Sequence, residues 1–462
     1  VNEFIWGVLE INSNMVKFAG TPAIVYSDMN GYGPYVTSST WFNLYWLLAS
    51  LFLLIVSSAF YVRGSETTMK NRFRSALTNL KSKAGVAIAV FLFRVLCAGF
   101  VFYNTEVLNH YDSGKMAEQK LVDYKRAYKK YEGIAQPRYY KFFYNIKIFP
   151  EERNLPVDAE AWVRNVSDTI IQEIHFTMPM LQDSLIIDIA EAAPVLQDNR
   201  LGYRIYKLKQ PMAPGDSLKI RFSSVNLSKG FENEVSFTQI TQNGTFFNNR
   251  VILPSIGYEE GNELSDKHKR RKHDLPPGKS MPRLDENNFN DLANSYIAND
   301  ADWVEIRTII STSIDQIAVA PGSLMREWKQ DERAYFEYIL DKPSLNFYSF
   351  ISARYEVARE EWNGIKMEVY YDKQHAYNVP NMMRSIQKSL EYYTQNFGPY
   401  YHKQYRIIEF PRYESFAQAF PGTMPYSEGI GSITDLRNVT QEDIDDVFYV
   451  VAHEMGHQYR AH

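Results

Sequence analysis

A chain of 462 residues with 45% hydrophobic residues is long enough for about two to four domains, each with its own core. Its formal charge of -4 removes the electrostatic ground for nucleic-acid binding, and its single cysteine, Cys97, excludes intrachain disulfides. The aromatic share of 15% suits strand-rich domains and membrane interfaces.

In chain order, Gly31-Tyr32-Gly33-Pro34 must break any helix begun in the first forty residues. Residues 41–62 then carry no charge, and at a rise of about 1.5 Å per residue they cross a bilayer core of roughly 30 Å. Trp41, Tyr45, Trp46 and Tyr61 fit an aromatic belt. A second apolar stretch spans 84–105, with Arg94 in its middle, which must face other helices, pair with an acid or reach for the interface. Between them Arg63, Lys70, Arg72, Arg74, Lys81 and Lys83 oppose one acid, Glu66, which reads as a short cytoplasmic loop. Residues 1–110 are thus expected to be a membrane region with two transmembrane helices, in the cell (inner) membrane. Residues after about 105 would be extracytoplasmic, and further spans would make the whole multi-pass.

Residues 111–137 read as a linker helix. From 138 the period changes to two: Tyr140, Phe142, Tyr144, Ile146 and Ile148 alternate, as do Ala159, Ala161 and Val163, and later Leu218, Ile220 and Phe222. Short strands between Pro, Gly and Asn turns predict an antiparallel β-sandwich-like domain over 138–370. The run Lys267-His268-Lys269-Arg270-Arg271-Lys272-His273 is expected to be a solvated loop. Ile365, Met367, Val369 and Tyr371 form one more alternating strand. Met383, Ile386, Leu390, Tyr393 and Phe397 then recur at helical spacing, with Gly398-Pro399 as the stop. Residues 371–462 therefore begin a mixed helical domain, in which Arg406-Ile407-Ile408-Glu409-Phe410 is a short strand.

The segment Phe420-Pro421-Gly422-Thr423-Met424-Pro425-Tyr426-Ser427-Glu428-Gly429-Ile430-Gly431 has the composition of an edge strand or extended loop. Such a segment beside a metal site can pair its backbone with a peptide and offer Glu428 to a substrate amine. Thr440 then suits an N-cap, with Asp443 at the capping-box position, for a helix that carries His453-Glu454-Met455-Gly456-His457. Two histidines four apart stand one turn above each other, so both imidazoles reach one metal ion, and Glu454 can take a proton from an attacking water. His462 faces away from the pair on a continuing helix. A third ligand is expected beyond residue 462.

From about residue 138 the chain resembles the aminopeptidase N family of zinc metallopeptidases, a β-domain followed by a thermolysin-like α+β catalytic domain. The resemblance rests on the metal helix, on Phe246-Phe247-Asn248-Asn249 with Ile252-Leu253-Pro254, and on the strand material from Ser349-Phe350 to Ala353-Arg354-Tyr355-Glu356. These read like the membrane-attached members of that family, whose peptidase-like domain hangs from an ABC-2-type transporter permease, which the apolar segments at 41–105 resemble. The resemblance implies Zn2+ on His453 and His457, Glu454 as general base, and a third, glutamate ligand one helix further on. The family's amine-holding motif falls at Gly422-Thr423-Met424, but Pro425 and Tyr426 stand where its Glu and Asn belong, and Glu428 replaces the carboxylate after a shift of register.

The implied function is a membrane-anchored zinc peptidase of aminopeptidase type acting on extracytoplasmic peptides. The alternative is a permease subunit whose peptidase-like domain captures substrate. The partners expected are peptide and membrane lipid, a homodimer or permease half, and a separate ABC ATPase, since no Gly-rich nucleotide motif is present.

Overall fold

The computed structural model describes residues 12–61, 68–109, 111–179, 184–234, 239–278, 285–288, 297–436 and 443–460. Two compact units emerge, the first made of Val1–Val25, Tyr32–Ala117 and Ser228–Thr238, the second of Tyr26–Gly31, Glu118–Leu227 and Gln239–His462.

In the first unit, helix α1 (Tyr35–Phe60) and helix α2 (Met69–Phe102) run antiparallel, locked by Trp41 on Phe100 at 4.3 Å and Phe52 on Phe91 at 5.5 Å between ring centroids. Both helices are long and apolar enough to cross a membrane. Their outward side chains are bare, with Leu54 65% and Leu96 69% exposed. Arg94 turns inward, donating to Tyr45 Oη at 3.2 Å with its guanidinium 5.0 Å from the same ring.

The expected basic loop is a correction. Lys70, Arg72, Arg74, Lys81 and Lys83 lie on the first turns of α2, which starts at Met69; Arg63 and Glu66 fall outside the described residues. With 34 residues α2 is roughly 51 Å long, well over a bilayer core of about 30 Å, so a helix can hold both the basic stretch and the apolar span.

The second unit opens with the end of helix α3 (Gly114–Tyr128) and continues in strands. A seven-stranded sheet has the order Ser323–Gln330, Arg333–Ile339, Ala301–Ser313, Arg138–Lys147, Asn154–Arg164, Ser217–Leu227, Ile186–Ile189. All its pairings are antiparallel except Arg138–Lys147 with Ala301–Ser313, which is parallel. A four-stranded and a three-stranded antiparallel sheet share its core, where Phe142, Tyr144, Phe176, Phe222, Phe247 and Phe350 meet. The alternation at the first strand slips by one residue: a register shift between Tyr139 and Lys141 buries Tyr139 in place of Tyr140, while Phe142, Tyr144 and Ile146 keep the inward phase.

The run at 267–273 is a second correction. Lys267–Lys272 is a short helix capped by the Asp266 carboxylate, which accepts from the His268 and Lys269 N–H groups. Much of its charge is paired: Lys269, Lys272 and His273 converge on Glu118, and buried Arg270 reaches Glu263 at 3.3 Å. Two acids far apart in the chain turn a solvated loop into a docked one.

Downstream lies a mixed sheet of β1 (Glu356–Trp362), β2 (Ile365–Tyr371), β3 (Gln404–Phe410) and β4 (Thr423–Ser427), in that order. β1 and β2 are antiparallel, but β2, β3 and β4 are parallel. Helix α4 (Val379–Phe397) makes the crossover from β2 to β3, and helix α5 (Asp446–Arg460) follows β4. β3 is buried at every residue, as a strand covered on both faces must be, so it shows no inward–outward alternation, and Gln404, Arg406 and Glu409 are buried with it. The architecture is thus N-terminal helices, a β-rich middle and an α+β end that carries the metal-binding group.

Met382, Ile386 and Leu390 of α4 fill the core between that sheet and α5. Leu390→Ala, at a position with no exposure, should cost about 2–5 kcal/mol, read as a lower denaturation midpoint.

Candidate metal centre

Helix α5 is fixed by what it buries. Val447, Val451 and Met455 recur every four residues and enter the core with Ile407 of β3 and Met424 of β4. At about 1.5–3 kcal/mol for each buried side chain, this stripe sets the rotation of the helix. One turn on, the Gln458 amide donates to Phe420 O at 2.7 Å and accepts from the Gly422 N–H at 3.0 Å, which tethers the helix to the turn before β4. From α4, Tyr393 Oη donates to Ala452 O at 3.1 Å, and a Cβ on Gly456 would stand 3.0 Å from that same hydroxyl. Glycine inside the metal motif lets the two helices approach.

The start of the helix differs from expectation. Asp445, not Thr440, is the cap: its carboxylate accepts from the Phe448 N–H at 2.9 Å and from Asn381 of α4 at 2.9 Å. Asp443 precedes the helix, and Thr440 and His462 lie outside the described residues.

With the Val447–Met455 stripe buried, His453 and His457 emerge on an exposed face. Their Nε2 atoms are 3.2 Å apart. Two nitrogens at about 2.0–2.1 Å from one tetrahedral ion lie roughly 3.3 Å apart, so the pair fits a shared metal without rearrangement. Glu454 stands beside the pair, its carboxylate and the two imidazoles offering atoms all within 4.8 Å of one another. Imidazole ligands with a carboxylate alongside suit Zn2+. Unlike the histidines, Glu454 is buried, at 7% exposure, and among the described residues its carboxylate has no hydrogen-bond partner. The cleft in front, about 300 Å³, is lined by Tyr393, Phe397, His453, Gly456, His457 and Tyr459.

The other predicted residues sit elsewhere in the second unit. Gly422 adopts φ +62°, and a Cβ there would meet Gln404 at 2.8 Å, so glycine is required by both backbone and space. Met424 is fully buried in the core, where its sulfur accepts from Tyr405 Oη at 3.3 Å. Nor does β4 present a free edge. Residues 416–420 fold back on it: Phe420 and Thr423 exchange hydrogen bonds at 2.8 and 2.9 Å, Gln418 N–H donates to Pro425 O, and Ser427 N–H donates to Phe416 O. β4 is the edge strand its composition suggests, at the end of the sheet order, and the chain itself satisfies that edge.

Glu428 has no exposure. Its carboxylate accepts from Ser27 Oγ at 3.0 Å and from the Asp28 N–H at 3.3 Å, with Arg412 Nε at 3.5 Å, and burial raises its pKa. Next to it His375 bridges two acids, Nδ1 to Glu409 at 2.5 Å and Nε2 to Asp28 at 3.2 Å. His375, Glu409 and Glu428 are close enough to form a second ligand group, but both His375 nitrogens are committed to carboxylates. Sequence reasoning missed this cluster. Its one legible sign was Glu409, an acid between Ile408 and Phe410 in a strand that proves buried throughout.

No family model matches the chain, and no curated protein matches it. Among solved structures it is similar to an M1 zinc metallopeptidase from Deinococcus radiodurans, at 13% identity and a TM-score of 0.45, over 71% of this chain and 65% of that one. A mutant of the M1 enzyme from that organism, bound to a Tyr-Ser-Ala substrate, matches at 11% identity and 0.45 over the same shares. A two-domain M1 mutant bound to L-arginine matches at 12% and 0.42, over 70% and 64%. The chain spans about 65% of the length of these structures.

Burial would lower the pKa of His375, but the Glu409 and Asp28 carboxylates outweigh it and raise the pKa to about 9. A raised histidine stabilises the fold fully below its unfolded value near 6.5, and that contribution is lost as pH climbs through 9. Thermal unfolding from pH 6 to 10 should show a falling midpoint, and His375→Gln should flatten that fall.

Proposed function

We propose that this protein is a zinc-dependent peptidase held in a membrane by α1 and α2. One observation carries the reading: two imidazole nitrogens at metal-sharing separation on an exposed helix face, with the largely buried Glu454 between them in sequence. A zinc ion bound there supplies a Lewis acid that polarises the scissile carbonyl. His453 and His457 hold it as neutral ligands. Glu454 takes the proton of the attacking water and hands it to the leaving amine, a role favoured by a site that shields its carboxylate from bulk solvent. Glu428 is the candidate partner for a substrate's N-terminal amine, with Gly422 and Met424 shaping the turn and strand that lead to it. The peptides acted on are extracytoplasmic, since the basic first turns of α2 favour the cytoplasmic side.

A second reading has support from the bare apolar faces of α1 and α2, which two helices alone leave unburied. These faces suit additional spans, as in a permease served by a separate ABC ATPase. ATP-driven movement of a solute by a Glu454→Gln variant, together with that ATPase in vesicles, is the outcome that would favour it.

For the peptidase, Glu454→Gln should keep zinc at unit stoichiometry, read by elemental analysis, while hydrolysis of tripeptides falls about a thousandfold or more. His453→Ala and His457→Ala should each abolish metal uptake. Full turnover by Glu454→Gln would remove the base assignment, and a wild-type protein that never takes up a divalent ion would remove the peptidase.

A further inference from the structure

Residues 26–31 lie in the chain between two stretches of the first unit, yet they pack as part of the second. The segment is pinned at three points. Tyr26 O accepts from Arg412 Nε at 2.6 Å, and the guanidinium lies 5.6 Å from the Tyr26 ring. Ser27 and Asp28 together occupy both oxygens of Glu428, while the Asp28 side chain pairs with His375. At the far end Asn243 donates its N–H to Asn30 Oδ1 at 2.8 Å and its Nδ2 to Met29 O at 3.0 Å, and the Met29 side chain is buried in the large core.

The donors on Glu428 are poor matches for what they bond. A fully buried carboxylate is best served by a cation, because charge-assisted hydrogen bonds are roughly twice as strong as neutral ones. From the strap Glu428 receives a neutral hydroxyl and a neutral amide, the latter at a long 3.3 Å. The guanidinium of Arg412 stands off at 3.5 Å and is divided between Glu428 and Tyr26 O. A primary ammonium would be a better partner than the strap, and its way to Glu428 is blocked by the strap itself. His375 would stay behind when the strap leaves, since its other nitrogen is fixed by Glu409.

We infer that residues 26–31 are a removable strap that caps the Glu428 carboxylate, and that a peptide's N-terminal ammonium reaches Glu428 only after the strap lifts. This rests on the reading of Glu428 as the amine partner. Asp28 and Asn243 supply two of its fasteners, one electrostatic and one a carboxamide bond.

The experiment uses the full chain in detergent, carrying Glu454→Gln to prevent turnover. Hydrogen–deuterium exchange reports on residues 26–31, and calorimetry measures binding of trialanine and of N-acetyl-trialanine. Asp28→Asn should speed exchange of the strap by about tenfold, the weight of one charge-assisted hydrogen bond, and Asn243→Ala, which removes only the Nδ2 bond to Met29 O, by about fivefold. Trialanine should bind tighter by a similar factor in both variants, and the acetylated peptide should not. Unchanged exchange in both variants would show the strap is not removable and would overturn the inference, as would faster exchange with unchanged trialanine affinity. If trialanine is preferred over its acetylated form equally in all three proteins, the amine reading stands and the strap alone fails. If no protein distinguishes the two peptides, the amine reading itself fails, while metal uptake and the Glu454 assignment are untouched.

Discussion

The constraint on which the metal centre depends is the burial of one face of α5. Val447, Val451 and Met455 can satisfy the core under β3 and β4 in only one rotation of the helix, and that rotation turns His453 and His457 outward. Gln458 adds directionality to this packing. Its carboxamide bonds to Phe420 and Gly422 hold the helix along its axis as well as about it, so hydrophobic burial sets the angle and two hydrogen bonds set the height. Glycine at 456 and the Tyr393 hydroxyl then bring α4 alongside, closing one wall of the cleft.

The same unit uses buried charge in a different way. Glu409, Glu428, His375 and Asp28 form a network in which each acid is bonded and the imidazole is saturated. Removing one member of such a network leaves its neighbours unpaired in a poorly solvated place, which costs more than the pair contributes. The network also ties residues separated by up to 401 positions, so it holds together only in the folded second unit. Metal binding and strap closure therefore draw on separate sets of residues, and each is open to its own measurement.

Much of the strand and helix content was legible, because burial on one face leaves a period in the chain. Phe142, Tyr144 and Ile146, or Ile386 and Leu390, announce their elements by spacing alone. The departures arise where long-range pairing overrode local character. The basic stretch at 267–272 looked solvated and is docked, because Glu118 and Glu263 reach it from elsewhere. Lys70 to Lys83 looked like a loop and is helical, continuous with the apolar span that follows. β4 is the edge strand its composition suggested, but only the fold shows that residues 416–420 return to cover that edge.

By itself, the order of residues determined that His453, Glu454 and His457 share one stretch of helix, since a spacing of four is a local property of the backbone. It equally determined that two apolar segments are long enough to span a bilayer. Which way the histidines face, that Asp445 caps the helix, and that Glu428 is covered by Ser27 and Asp28 were decided only in three dimensions. Those outcomes depend on which distant side chains compete for the same carboxylate or the same core volume, and no local pattern in the chain encodes that competition.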